Sequence, residues 1–109
     1  MAYDEGLAAT LRAALAGRSG IGERKMFGGL CIMLDGNMLC GTYRDRGMYR
    51  VGKANEAAAL ALPHVRPMTM TGRPMPGIVE ADREAIEDRE LRDRLLGLAL
   101  DFVETLPPK

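Results

Sequence analysis

Two cysteines and eight methionines are the residues with soft-ligand or redox chemistry, and a single stretch, Arg24 to Gly41, gathers both cysteines with three of the methionines. Within it, two apolar runs flank the dipeptide Asp35-Gly36, a strong hairpin signal because both residues tolerate positive φ. A two-residue turn pairs Leu34 with Asn37, Met33 with Met38 and Ile32 with Leu39. Cys31 then falls opposite Cys40, on the same face as Met33 and Met38. Two thiols and two thioethers so placed form a donor set for copper(I) or zinc, or a pair able to close a redox disulfide. Plain packing accounts for the same residues, since Cys and Met are common core residues. No histidine is nearby in sequence, and the nine-residue separation matches no zinc signature. Packing is the favoured reading, Cys31 and Cys40 stand beside it as a candidate redox pair, and no cofactor or metal is expected.

Other chemistry is sparse. His64 is the sole histidine and Ser19 the sole serine. A general base needs a group that orients it and a nucleophile to serve, and the sequence offers neither. The acidic residues of Asp82 to Asp93 have the spacing of a helix start and its solvent face, with no carboxylate pair set up for proton transfer. Gly17 to Gly22 has the glycine content of a phosphate loop, but Glu23 and Arg24 follow where Lys and Ser/Thr are required. The segment also leads from helix into strand, the reverse of a phosphate-binding turn. The expectation is a protein that is not an enzyme.

Arg24, Lys25, Arg44, Arg46 and Arg50, with Tyr43 and Tyr49 among them, form the candidate interaction surface. Arginines beside tyrosines on one sheet face can stack bases. The formal net charge of zero argues against a strong counterion-release term, so nucleic acid is the alternative partner and not the favoured one. Residues 1–53 carry eight Lys/Arg against five Asp/Glu and residues 77–109 five against nine. That asymmetry suits head-to-tail contact, and equally a solvated acidic helix.

The elements that must position these residues follow from periodicity. Asp4 caps a first helix with Leu7, Leu11, Ala14 and Leu15 on one stripe, and Gly17 and Gly20 stop it. Strands are expected at Glu23 to Phe27, with Met26 and Phe27 on opposite faces, and at Leu30 to Leu34, Asn37 to Gly41 and Gly47 to Val51. Short turns make these an antiparallel meander, and Gly28-Gly29 marks a bend or a close backbone approach. Asn55 caps a second, alanine-rich helix that Pro63 ends. Met68 to Thr71 and Gly77 to Ala81 read as two further strands joined by a proline-stiffened surface loop. Asp88 caps a last helix through Leu91, Leu95, Leu98 and Phe102, closed by Pro107-Pro108. The fold class is α+β, a two-layer sandwich with helices on one face of an antiparallel sheet, in the order α-β4-α-β2-α.

At 109 residues the chain is expected to be one domain, residues 1–109. No stretch reaches the roughly 18 apolar residues of a membrane span. Asp4 and Glu5 stand where a signal peptide needs positive charge, and two cysteines suit a reducing compartment, so the expected location is cytoplasmic with no membrane partner.

The motifs resemble one family. Arg24-Lys25-Met26-Phe27-Gly28-Gly29, the hairpin Leu34-Asp35-Gly36-Asn37-Met38 and Tyr49-Arg50-Val51-Gly52 are similar to the N-terminal domain of the TfoX/Sxy competence regulators. So are the opening Met1 to Glu5, Arg66-Pro67-Met68, Thr71 to Met75 and the tail Thr105 to Lys109. The resemblance runs in order along the whole chain. It implies a fold akin to secretion chaperones, an antiparallel sheet and frequent homodimers. Full-length regulators add a C-terminal helix-hairpin-helix type domain and act at promoters beside the cyclic-AMP receptor protein, so a stand-alone N-terminal domain is the expected unit here. The family carries no catalytic residues across. Together these readings give a cytosolic binding or regulatory module, a homodimer, linked to transcription through a protein partner.

Overall fold

The helix α1 (Glu5–Ala14) starts where Asp4 Oδ1 accepts the Gly6 and Leu7 amides at 2.8 and 3.2 Å. An N-cap carboxylate of this kind is worth about 1 kcal/mol. The structure is a computed structural model that describes residues 3–26, 28–70 and 72–109. After α1 come β1 (Ile21–Met26), β2 (Gly29–Leu34), β3 (Asn37–Tyr43) and β4 (Arg46–Arg50), then a 3-10 turn (Lys53–Asn55) and α2 (Glu56–Leu60). The strands β5 (Val65–Met70) and β6 (Arg73–Asp82) precede α3 (Glu84–Glu87) and α4 (Arg89–Val103). The five pairings between these strands are antiparallel, in one open sheet ordered β1-β2-β3-β4-β6-β5.

The fold class is as the periodicity indicates, an α+β sheet with helices, but the element order is richer. A 3-10 turn precedes α2, and α3 is a separate turn of helix before the Asp88 cap, whose Oδ1 accepts the Leu91 amide at 3.0 Å. Asn55 does not cap α2. Its side chain donates instead to the Leu98 carbonyl and to Asp101 Oδ2, both at 3.2 Å, tying the turn to α4. The helix α2 ends at Leu60, before Pro63, and of Ala57, Ala58 and Ala59 only Ala59 is buried.

The stretch from Arg73 to Pro76 is strand rather than loop. A tight hairpin pairs Met70 with Arg73 and Thr69 with Pro74. Proline is tolerated there because β4 reaches only as far as Ile78 on β6, leaving the other edge of residues 73–76 without a partner strand. Phe27 and Thr71, which the sequence reading puts in strands, lie outside the described residues.

One layer of the core lies between sheet and helices. Leu7, Leu11 and Leu15 of the α1 region and Leu95, Leu96, Ala99 and Val103 of α4 pack on Ile32, Leu34, Leu39, Cys40, Tyr49, Val51, Val79 and Ala81. Gly47 on β4 makes room for Ile86 of α3, whose side chain a Cβ at this position would strike. The Asp35-Gly36 turn has φ of 51° and 85°, the mirror-image turn that matches strand twist. It is clamped from both sides: the Asp35 amide donates to the Gly20 carbonyl at 2.9 Å and the Lys109 amide to the Asp35 carbonyl at 2.8 Å. Buried Asn37 donates to the Pro107 carbonyl at 2.9 Å, so the tail locks the hairpin end.

The hairpin departs from an unbroken register at one residue. Met33 faces Met38 and Leu34 faces Asn37, but Ile32 faces Cys40, so Leu39 is the extra residue of a β-bulge. Leu39 and Cys40 both enter the helix-side core, each fully buried. Tyr49, paired with Cys40, follows them there, and among the described residues its hydroxyl has no hydrogen-bond partner. A buried hydroxyl without a partner costs about 1–3 kcal/mol. Tyr49→Phe is therefore expected to leave stability unchanged or raise it by about 1 kcal/mol in urea unfolding; a loss beyond about 1 kcal/mol would show that the hydroxyl is paired.

Candidate binding face

The side of the sheet turned away from the helices carries its own apolar cluster. Cys31, Met48 and Met68 are buried at its centre, with Met26, Met33, Met38, Met75, Ile78 and Tyr43 half-buried around them. No described helix contributes to this cluster. Alternation puts these residues here: Cys31 and Met33 point away from the helices because Leu30, Ile32 and Leu34 point toward them. The patch is therefore a sheet face without a covering layer, built mainly of flexible, polarisable thioethers.

A charged cluster borders the patch where β4, β5 and β6 run side by side. Glu80, only 8% exposed, accepts from the Tyr43 hydroxyl through Oε1 and from Arg66 Nε through Oε2. Arg46 Nη1 lies 3.5 Å from the same Oε2, and Arg66 Nη1 reaches Asp82 Oδ1 at 2.9 Å. Antiparallel register explains the meeting, since Arg66 and Met48 flank Glu80 on adjacent strands and Arg46 faces Asp82. Burial, then the bond to Glu80, pushes the Tyr43 phenol up from its ordinary range. Tyr43 also lies 3.9 Å from Met68 Sδ, joining the charged cluster to the methionine patch.

Of the interaction surface inferred from sequence, Arg24, Tyr43, Arg46 and Arg50 do share this face. The others do not. Tyr49 is buried in the helix-side core, because the bulge carries its partner Cys40 there, and it is no part of a surface. Lys25 projects to the opposite side of β1, and Arg44 sits in the β3–β4 turn with φ 52°, its carbonyl accepting the Asp4 amide. Arg46 is committed to Glu80, and the Arg50 guanidinium lies 5.5 Å from the Phe102 ring centre at the far end of β4. A continuous Arg/Tyr stacking platform is not what the fold assembles.

The redox pair is likewise corrected. The bulge at Leu39 puts Cys31 opposite Gly41 on the open face and Cys40 on the helix side, so the two side chains point to opposite layers. Both are free thiols, and vectors so directed cannot be bridged without moving backbone. The four-sulfur cluster expected from an unbroken register dissolves with it. His64 is exposed at the end of the α2 turn, with Nδ1 3.9 Å from Asp82 and 4.0 Å from Glu84.

Glu80, Arg66 and Asp82 were not singled out from sequence, although the alternation Ile78, Glu80, Asp82 against Val79, Ala81 signals a strand with one polar face.

The chain is a small α+β domain with an open antiparallel sheet, one face of which no described helix covers. The family model of the TfoX N-terminal domain matches residues 13–103, and the chain belongs to that family. No curated protein and no solved structure matches it. No described helix is long and apolar enough to cross a membrane.

Burial raises both thiols, Cys40 most strongly. In the native protein at pH 7 neither thiol should react with a chromogenic disulfide reagent, and both should react in urea. A thiol held neutral in the fold stabilises it fully below its unfolded value near 8.5, and that contribution is lost as pH rises further, by up to about 1.4 kcal/mol per pH unit. Urea midpoints should fall above about pH 8.5, less steeply in Cys40→Ala; rapid native labelling of Cys40 would contradict the placement.

Proposed function

We propose that this domain is a non-enzymatic, cytoplasmic binding and regulatory module that works as a homodimer and reaches transcription through a protein partner. The observation that carries the reading is the methionine-rich sheet face left open beside the Glu80 ion cluster. Membership of the TfoX N-terminal domain family supports a regulatory role.

The second copy is assigned to the open face for a physical reason. Half-buried thioethers form a contiguous apolar surface that water solvates poorly, and flexible methionines repack readily against a partner. The paired charges at the border supply orientation more than affinity, because Arg46 and Arg66 already have their carboxylates within the protomer.

Analytical ultracentrifugation tests this reading. The wild-type chain should be a dimer at tens of micromolar. Met33→Glu, a charge placed in the patch, should weaken association at least about tenfold, which is about 1.4 kcal/mol, with helical circular dichroism unchanged. Lys25→Glu, on the other side of β1, should leave the dimer intact. A wild-type monomer throughout this range, or a Met33→Glu protein that still dimerises, would contradict it.

A further inference from the structure

We propose that the cleft at the far end of β4 is a binding site for a small organic anion, a carboxylate carried on a flat apolar body. At this point the sheet runs out. Strand β4 stops at Arg50, the chain turns through Gly52 with φ 83°, and the 3-10 turn Lys53–Asn55 leads away. Beside it, β6 arrives through Pro76 and Gly77, and Phe102 reaches over from α4. Between them is a cleft of about 510 Å³, within the range of small-molecule sites.

The walls and the charges have different chemistry. Phe102, Ile78, Met38 and Pro76 supply apolar surface, including one aromatic ring. Arg50 and Lys53 supply two cations, and among the described residues no carboxylate lines the cleft. Neither cation takes part in an ion pair among the described residues. The carboxylate of Glu56, which follows the turn, accepts the Gly77 amide at 3.3 Å. Two unpaired cations beside an apolar wall are complementary to one anionic head group attached to a ring, and the guanidinium can meet a carboxylate through two parallel bonds.

The floor is built rather than loose. The Val51 and Gly52 amides both donate to the Gly77 carbonyl at 2.9 Å, which locks the two chain segments together. Glycine is needed at position 52, since a Cβ there would come within 2.6 Å of Phe102 and the φ is left-handed. The close approach brings the ring of Phe102 against the turn, and Arg50 lies 5.5 Å from its centre. Phosphodiester backbone fits this cleft poorly, because its charge repeats along a chain while the cations here are confined to one short rim.

The site does not depend on the proposed dimer. Met38 and Ile78 belong to both the cleft and the open face, so the two readings are separated by testing the wild type and the Met33→Glu protein side by side.

Titration with 2-naphthoate, followed by amide chemical shifts and calorimetry, decides the matter, with 2-naphthamide as the uncharged match. The expected result is saturable binding of 2-naphthoate, with shifts centred on Gly52, Ala54 and Gly77. The amide should bind at least about tenfold more weakly, and Arg50→Gln with Lys53→Gln should lower 2-naphthoate affinity by a similar factor. Lys53 is exposed, so Lys53→Gln alone should weaken binding in a protein whose fold is untouched. Binding retained in Met33→Glu places the ligand in the cleft independently of association. No saturation at millimolar ligand, equal binding of acid and amide, unchanged affinity in the charge variants, or shifts confined to another surface would each overturn the proposal.

Discussion

The β-bulge at Leu39 sets which side chains each strand delivers to each layer. One extra residue on β3 sends Leu39 and Cys40 together into the helix-side core and reverses the alternation beyond them. Because of it Thr42 faces the helices and Tyr43 faces away, where its hydroxyl meets Glu80. Pairing passes the choice on to β4: Tyr49 follows Cys40 inward, and Met48 and Arg46 turn outward. Without the bulge the open face would carry Cys40 and lose Tyr43, and the ion cluster around Glu80 would have no phenol in it.

A second constraint is that the helices serve only one side of the sheet. The helix-side core holds Leu7, Leu11, Leu95 and Val103, while on the other face the described residues around Cys31, Met48 and Met68 are strand methionines with Tyr43 and Ile78. The sheet edges are protected in a different way. β1 carries Glu23, Arg24 and Lys25 in sequence, and β5 carries Arg66 and Pro67, charges and a proline that discourage a further strand from adding on. Edge-to-edge growth is therefore disfavoured, which supports the proposed use of the apolar face for association.

Much of this was legible in the residues. Asp4 and Asp88 cap the helices they were expected to cap, the Asp35-Gly36 turn forms with Met33 opposite Met38, and the four-strand meander is present. The cysteine pairing was not legible, because turn chemistry fixes register only up to the first bulge and nothing in Met38-Leu39-Cys40 marks the extra residue. Pro74 and Pro76 read as a loop because a proline removes a ladder donor, and only the sheet order reveals that this part of β6 has a free side. Glu80 was hidden for a related reason: its partners Arg66, Arg46 and Tyr43 come from three other strands, and such convergence depends on strand order. In α2 an apolar composition does not mark a buried surface, since Ala57 and Ala58 are exposed and small side chains are cheap to leave so.

The central claim is that the open, methionine-rich face is where this domain meets a second copy of itself. Methionine-methyl NMR with a soluble paramagnetic probe, recorded across a dilution series, tests it most directly. The account predicts that the Met33, Met38 and Met75 methyls are strongly attenuated in dilute solution and become protected as the dimer forms, while the exposed Gly97 amide of α4 stays equally accessible throughout. A dimer in which those methyls remain as accessible as in the monomer, and in which α4 becomes protected instead, would contradict it.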